Sequence, residues 1–220
     1  MFFDNARSLF ALITCSMVVL FLDFYEAILS IHLLKVYGLG AEYNGYVFAV
    51  PCLTYCLITP FVSRLSETFS SKRQLIFCSF VLCFISLLLS GPSEALGLDN
   101  NLWVLLFGLG LNGVASGCAF IPIFPEIMEA VMEQHGIEDE TDELCDKVSG
   151  IYGTFYSIGS VVAPILGGAL GDSIGYRSTC DVVALATFIF CIFFAFFNLG
   201  LKAPKGHKRQ KVMEVLLIED

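Results

Sequence analysis

The chain has 220 residues, of which 56% are hydrophobic, 14% aromatic and only 15% charged, with a mean hydropathy of +0.77. A soluble globular domain keeps about 25% charged residues, so composition excludes one here and implies an integral membrane protein. The formal net charge is -9, gathered largely in one stretch, and no nucleic-acid partner is expected.

Crossing about 30 Å of hydrocarbon takes roughly 20 apolar residues. Six stretches of that kind run over residues 9–36, 43–64, 74–91, 101–131, 148–171 and 181–201. Each break between them carries a glycine, a proline or a cluster of charges, as helix ends do. The pattern predicts an all-α membrane protein with a six-helix bundle over residues 1–201 and a basic tail over 202–220. With a cytoplasmic N-terminus, Arg7, Arg64, Lys72, Arg73, Lys147, Lys202, Lys205, Lys208, Arg209 and Lys211 all fall inside, leaving only Lys35 and Arg177 outside. Lys and Arg in short loops set topology, so both ends are expected to be cytoplasmic.

The first span is too long and too acidic for a cleaved signal and reads as a retained helix. Its centre, "FLDFYEAILS", holds Asp23 and Glu26. On a helix turning about 100° per residue, Asp23, Glu26 and Ser30 fall within roughly 60° of one another. A carboxylate at the bilayer centre costs at least ~2.5 kcal/mol, so this stripe is expected to face a cavity or a partner. Two roles are open for the acids: taking up protons and cations, or hydrogen-bonding a neighbouring helix, with Glu26 wetted near the surface.

In the fourth span, Gly113 and Gly117 stand four apart, and the fifth carries Gly159, Ala163, Gly167 and Gly171 at the same spacing. Such ladders let helix backbones approach closely in lipid. Asn112 lies mid-membrane, either lining a substrate cavity or bonding another helix. Tyr152 and Tyr156, one turn apart, offer aromatic faces to a cation or serve as plain packing. Glu126 follows Pro122 and Pro125 toward the cytoplasmic end, where it reads as a gate or a helix-end contact and the helix is expected to bend. Between the fourth and fifth spans, residues 132–147 are rich in acids and read as a solvated cytoplasmic loop.

The nine cysteines contain no CxxC pair, and His32, His135 and His207 lie far apart, so no metal site or other cofactor is expected. No nucleophile, base and orienting group occur together, and an enzyme is not expected.

The fifth span reads "SGIYGTFYSIGSVVAPILGGALGDSIGYRS". Its Gly159, Ala163, Pro164, Gly167 and Gly168 resemble the glycine- and proline-rich antiporter motif of the major facilitator superfamily, with Ala163 where the motif has glycine. Asp172, Gly175, Tyr176 and Arg177 resemble the helix-end turn that follows it, with Asp172 beside Arg177. The resemblance implies a twelve-helix fold of which six helices are one half. The loop "SRLSETFSSKR" matches the N-terminal-half signature only loosely, and Asn112-Gly113 stands where that half has an arginine, so the chain is similar to a C-terminal half. "FLDFYEAILSIHL", "IPIFPEIMEA" and the fifth span together resemble the vesicular amine and polyamine transporter branch.

That branch implies exchange of protons for small organic cations across a vesicle membrane, with Asp23 and Glu26 coupling the two. Substrate sites in such folds lie between repeats near the midplane, so a second six-helix half is an expected partner within the bilayer. The alternative is a half-length protein that does not transport, acting as a subunit or scaffold or arising as a truncated product.

Overall fold

The computed structural model describes residues 6–68, 72–93, 97–137 and 141–199. The tail 202–220, and Glu138, Asp139 and Glu140 of the acidic stretch, lie outside the described residues. Among the described residues, six helical stretches are long and apolar enough to cross a membrane. The first is made of α1 (Ala6–Asp23) and α2 (Glu26–Tyr37). Then come α3 (Ala41–Thr68), α4 (Lys72–Ser90), α5 (Leu102–His135), α6 (Asp142–Ile174) and α7 (Tyr176–Phe194), the last continued by a π-helical turn, Ala195–Leu199.

Side chains and glycines mark the helix ends. Asn101 caps α5 by accepting from Trp103 N–H at 2.9 Å, and Thr141 caps α6 by accepting from Leu144 N–H at 3.3 Å. Gly136 closes α5 at φ 61, a left-handed conformation that other residues adopt only under strain. The expected 132–147 loop is corrected here: α5 runs on to His135 and α6 opens at Asp142, leaving only 136–141 between them. Asp142 and Glu143 lie in the first turn of α6, where negative charge meets the positive end of the helix dipole. Lys147 bonds Glu143 across one turn at 2.6 Å. Pro122 and Pro125 interrupt neither end of α5, which stays helical through both.

Helix α5 is the centre of the bundle and packs on α4, α3, α1 and α6, while α1 also packs on α6 and α4 on α7. Glycines set the closest approaches. Gly108 meets the backbone of Ser90 on α4, Gly113 the Pro51 carbonyl on α3, and Gly117 the Ile58 side chain, so any Cβ there would collide. Phe24, Phe80, Leu12, Leu105 and Ile123 fill the interior. The outer helices are far less covered: 11% of the most apolar stretch of α3 and 17% of that of α6 are buried, against 67% for the first span. Both therefore present broad apolar faces to lipid or to a further protein surface.

Candidate functional site

The first span is broken in its middle. The α-helical pattern lapses at Phe24 and Tyr25, so that Asp23 ends α1 and Glu26 begins α2. The stripe expected on one continuous helix is thereby divided. Asp23 and Ser30 are half-buried and Glu26 is exposed. At about 1.5 Å per residue, Asp23 lies about 24 Å past Arg7 and about 21 Å short of Tyr37, near the middle of the span. Neither a glycine nor a proline marks the break, which is why apolar length and periodicity passed over it.

Tyr156 on α6 lies within electrostatic reach of both Asp23 and Glu26. It is 38% exposed, and its ring stands 5.8 Å from Phe120 and 6.4 Å from Tyr152. Tyr152, half-buried, meets Phe124 edge-on at 5.7 Å. These four rings from α5 and α6 form one aromatic cluster, and a desolvated cation over such faces gains about 2 kcal/mol. Phe120 and Phe124 are invisible as site residues in sequence, because aromatic residues are common in any apolar span.

Asn112 is placed elsewhere. It is 3% exposed on α5, packed against α1 and α4, with its Nδ2 donating to the Leu22 carbonyl at 3.2 Å and its Oδ1 3.4 Å from Ser86 Oγ.

The small-residue ladder of α6 lies against the first span on both sides of the break. A Cβ on Gly159 would come within 2.5 Å of the Ser16 carbonyl, Ala163 is fully buried, and a Cβ on Gly167 would collide with the Phe24 carbonyl. Gly171 continues the ladder against Ile28, and Ser16 Oγ donates to the Phe155 carbonyl at 2.6 Å. Gly168 has open space where a Cβ would sit, and Pro164 is exposed. Those two residues of the motif take no part in this contact.

Glu126 is the centre of an ion cluster at the end of the bundle that holds the chain's N-terminal side. It is 6% exposed and accepts from Arg7 Nε at 3.2 Å, Arg7 Nη2 at 2.9 Å and Arg73 Nε at 2.8 Å. Arg7 also pairs with Glu133, and Lys72 with Glu129. The cluster ties α1, α4 and α5 together. The arginine partners went unseen in sequence because pairs 119 and 53 residues apart leave no local signal. Glu126→Gln keeps an acceptor but removes the charge facing two guanidinium groups, and is expected to lower stability by about 2 kcal/mol. Thermal unfolding in detergent, compared between the two proteins, checks this.

At the opposite end, Asp172 is exposed, while Arg177 donates to the Pro92 carbonyl at 2.7 Å and the Leu98 carbonyl at 2.6 Å. Tyr176 stacks on His32 at 4.2 Å and donates to the Ser90 carbonyl at 3.3 Å. The first turn of α7 therefore anchors the connection between α4 and α5.

The cavity lined by Thr14, Arg73 and Glu126 and the cavity lined by Phe21, Phe80 and Cys83 hold about 10 Å³ each, room for one water and not for an organic cation. Glu26 and Tyr156 are instead exposed at the surface of the unit, and Asp23 is half-buried.

This architecture has known counterparts. The family profile of the Major Facilitator Superfamily matches residues 9–217. The chain belongs to that superfamily. It is 32% identical over 199 residues to the MFS-type transporter SLC18B1 of Rattus norvegicus, covering 90% of this chain and 43% of the rat protein. The human SLC18B1 is 31% identical over the same length, with 42% of it covered. The multidrug transporter protein MdtP of Bacillus subtilis (strain 168) is 25% identical over 125 residues, 57% of this chain and 20% of that protein. The fold of a solved peptide transporter, POT, matches all of this chain and 46% of its own, with a TM-score of 0.60 at 14% identity. This superfamily member thus spans less than half the length of the curated relatives it matches.

Proposed function

We propose that the chain is the C-terminal six-helix half of a proton-coupled antiporter that moves small organic cations, amines or polyamines, across an intracellular vesicle membrane, with both its ends cytoplasmic. The observation that carries this reading is the acid pair at the broken middle of the first span, with Glu26 exposed and Tyr156 within electrostatic reach of both acids. Discontinuous helices near the midplane are where transporters place coupling and substrate sites, and an exposed acid there needs cover from lipid. A second six-helix unit supplies that cover, whether encoded upstream, carried by another chain or formed by self-association.

In this scheme Asp23 and Glu26 alternate between holding a proton and pairing with an ammonium group. Tyr152 and Tyr156 present ring faces to the cation's apolar body, and Ser30 lies one turn farther along the route. The Glu126 cluster holds the cytoplasmic end of α1, α4 and α5 together and acts as part of the gate on that side.

Reconstitution tests the reading. Proteoliposomes containing the chain as a demonstrated monomer are expected to show no uptake of a labelled amine or polyamine under an imposed pH gradient, and addition of the complementary six-helix unit is expected to establish it. Uptake by the monomer would overturn the requirement for a second unit. Continued silence with both units present would favour the non-transporting alternative.

A further inference from the structure

At a helix break the last carbonyls of one segment and the first N–H groups of the next lose their partners, and in lipid no water replaces them. Breaks in membrane helices therefore persist only where neighbouring protein supplies the missing contacts. In this chain the two carbonyls flanking Asp23 are each met by another helix. Leu22 O, just before it, accepts from Asn112 Nδ2 of α5 at 3.2 Å. Phe24 O, just after it, lies against Gly167 of α6, where no side chain stands in the way.

We propose that Asn112 is a positioning residue: by bonding the Leu22 carbonyl it keeps the first span broken and fixes where Asp23 presents its carboxyl. This rests on the reading above, in which Asp23 exchanges a proton for a cation.

The geometry around Asn112 suits that role. Its Oδ1 lies 3.4 Å from Ser86 Oγ, whose single hydroxyl proton goes to the Cys83 carbonyl at 2.9 Å. Tyr25, 4% exposed and seated in the break, lies within reach of the same amide. Asn112 is itself only 3% exposed, so it acts through the Leu22 carbonyl and not by contact with substrate. Asparagines in membrane helices also join neighbouring helices without further purpose. Here, however, the acceptor is a backbone carbonyl beside the coupling acid, and in an unbroken helix the Glu26 N–H would already occupy it.

The test reads Asp23 directly. A hydrophobic carbodiimide reacts with protonated carboxyls in lipid, and mass spectrometry of the full chain in its membrane reports modification at Asp23 across a pH series. The parent protein is expected to give a sigmoidal profile. Asn112→Ala is expected to displace its midpoint by about one pH unit, a tenfold change in the protonation equilibrium. Asn112→Leu, which removes the donor while conserving bulk, serves where the alanine variant does not accumulate. Ser79→Ala, which loses only a hydroxyl bonded to Ile76 O within its own helix, is expected to leave the midpoint in place. A sigmoidal parent profile with an unmoved midpoint in the Asn112 variants would overturn the positioning role alone. A flat parent profile, equal to that of Asp23→Asn, would overturn the coupling role of Asp23 and this inference with it.

Discussion

In the assembled transporter, Asp23→Asn is expected to abolish proton-driven accumulation of the organic cation while the protein remains folded. Each pH unit across the membrane supplies about 1.4 kcal/mol per proton, enough for tenfold accumulation when a carboxyl carries that proton. The amide keeps the shape of the side chain and most of its hydrogen bonding but neither titrates nor pairs with an ammonium group. The accumulation ratio is therefore expected to fall to about one at any imposed gradient, while exchange of labelled for unlabelled cation continues. Asp23 is half-buried at the end of α1 and joins no ion pair among the described residues, so its neutralisation does not threaten the fold. Tenfold accumulation per pH unit by the variant would make Asp23 structural and move the coupling to Glu26 or to the second unit.

The largest loss of stability is expected from Gly167→Leu. A Cβ at this position already collides with the Phe24 carbonyl, and a backbone atom at a helix break cannot rotate away as a side chain does. Inserting bulk into a packed interior costs about 1–3 kcal/mol and more where the neighbour is rigid, so a loss of at least ~3 kcal/mol is expected. Gly168→Ala is the contrast. Open space surrounds that position, and the gain in helix propensity is expected to leave stability unchanged or raised by about 0.5 kcal/mol. Unfolding of the two variants in detergent compares them. Equal destabilisation by both would show that the motif acts through helix flexibility and not through this contact.

The two variants differ because adjacent glycines of one motif point in different directions. In sequence Gly167 and Gly168 are equivalent members of a glycine-rich run. Only the placement of α6 on the first span separates the one that must be glycine for contact from the one that need not be. The same holds for Asn112, whose mid-span position left two roles open and whose burial between three helices favours the packed one.

Much of the fold is determined locally. Apolar length alone marks six crossings, because a helix must satisfy its own backbone in lipid and about 20 residues reach across. Glycines, charges and caps then delimit the helices, although the acidic 132–147 stretch misled: charge marks solvent exposure, and exposed residues extend helices as readily as they form loops. The tertiary structure alone decided the rest. The break at Phe24 and Tyr25 has no breaker residue, because it is held by Asn112 and Gly167 from helices far away in the chain. The Arg7, Arg73 and Glu126 cluster likewise joins residues that only packing brings together. The residues of the candidate site are legible one by one as polar groups in an apolar span; which of them are buried and which exposed is a consequence of how the helices pack.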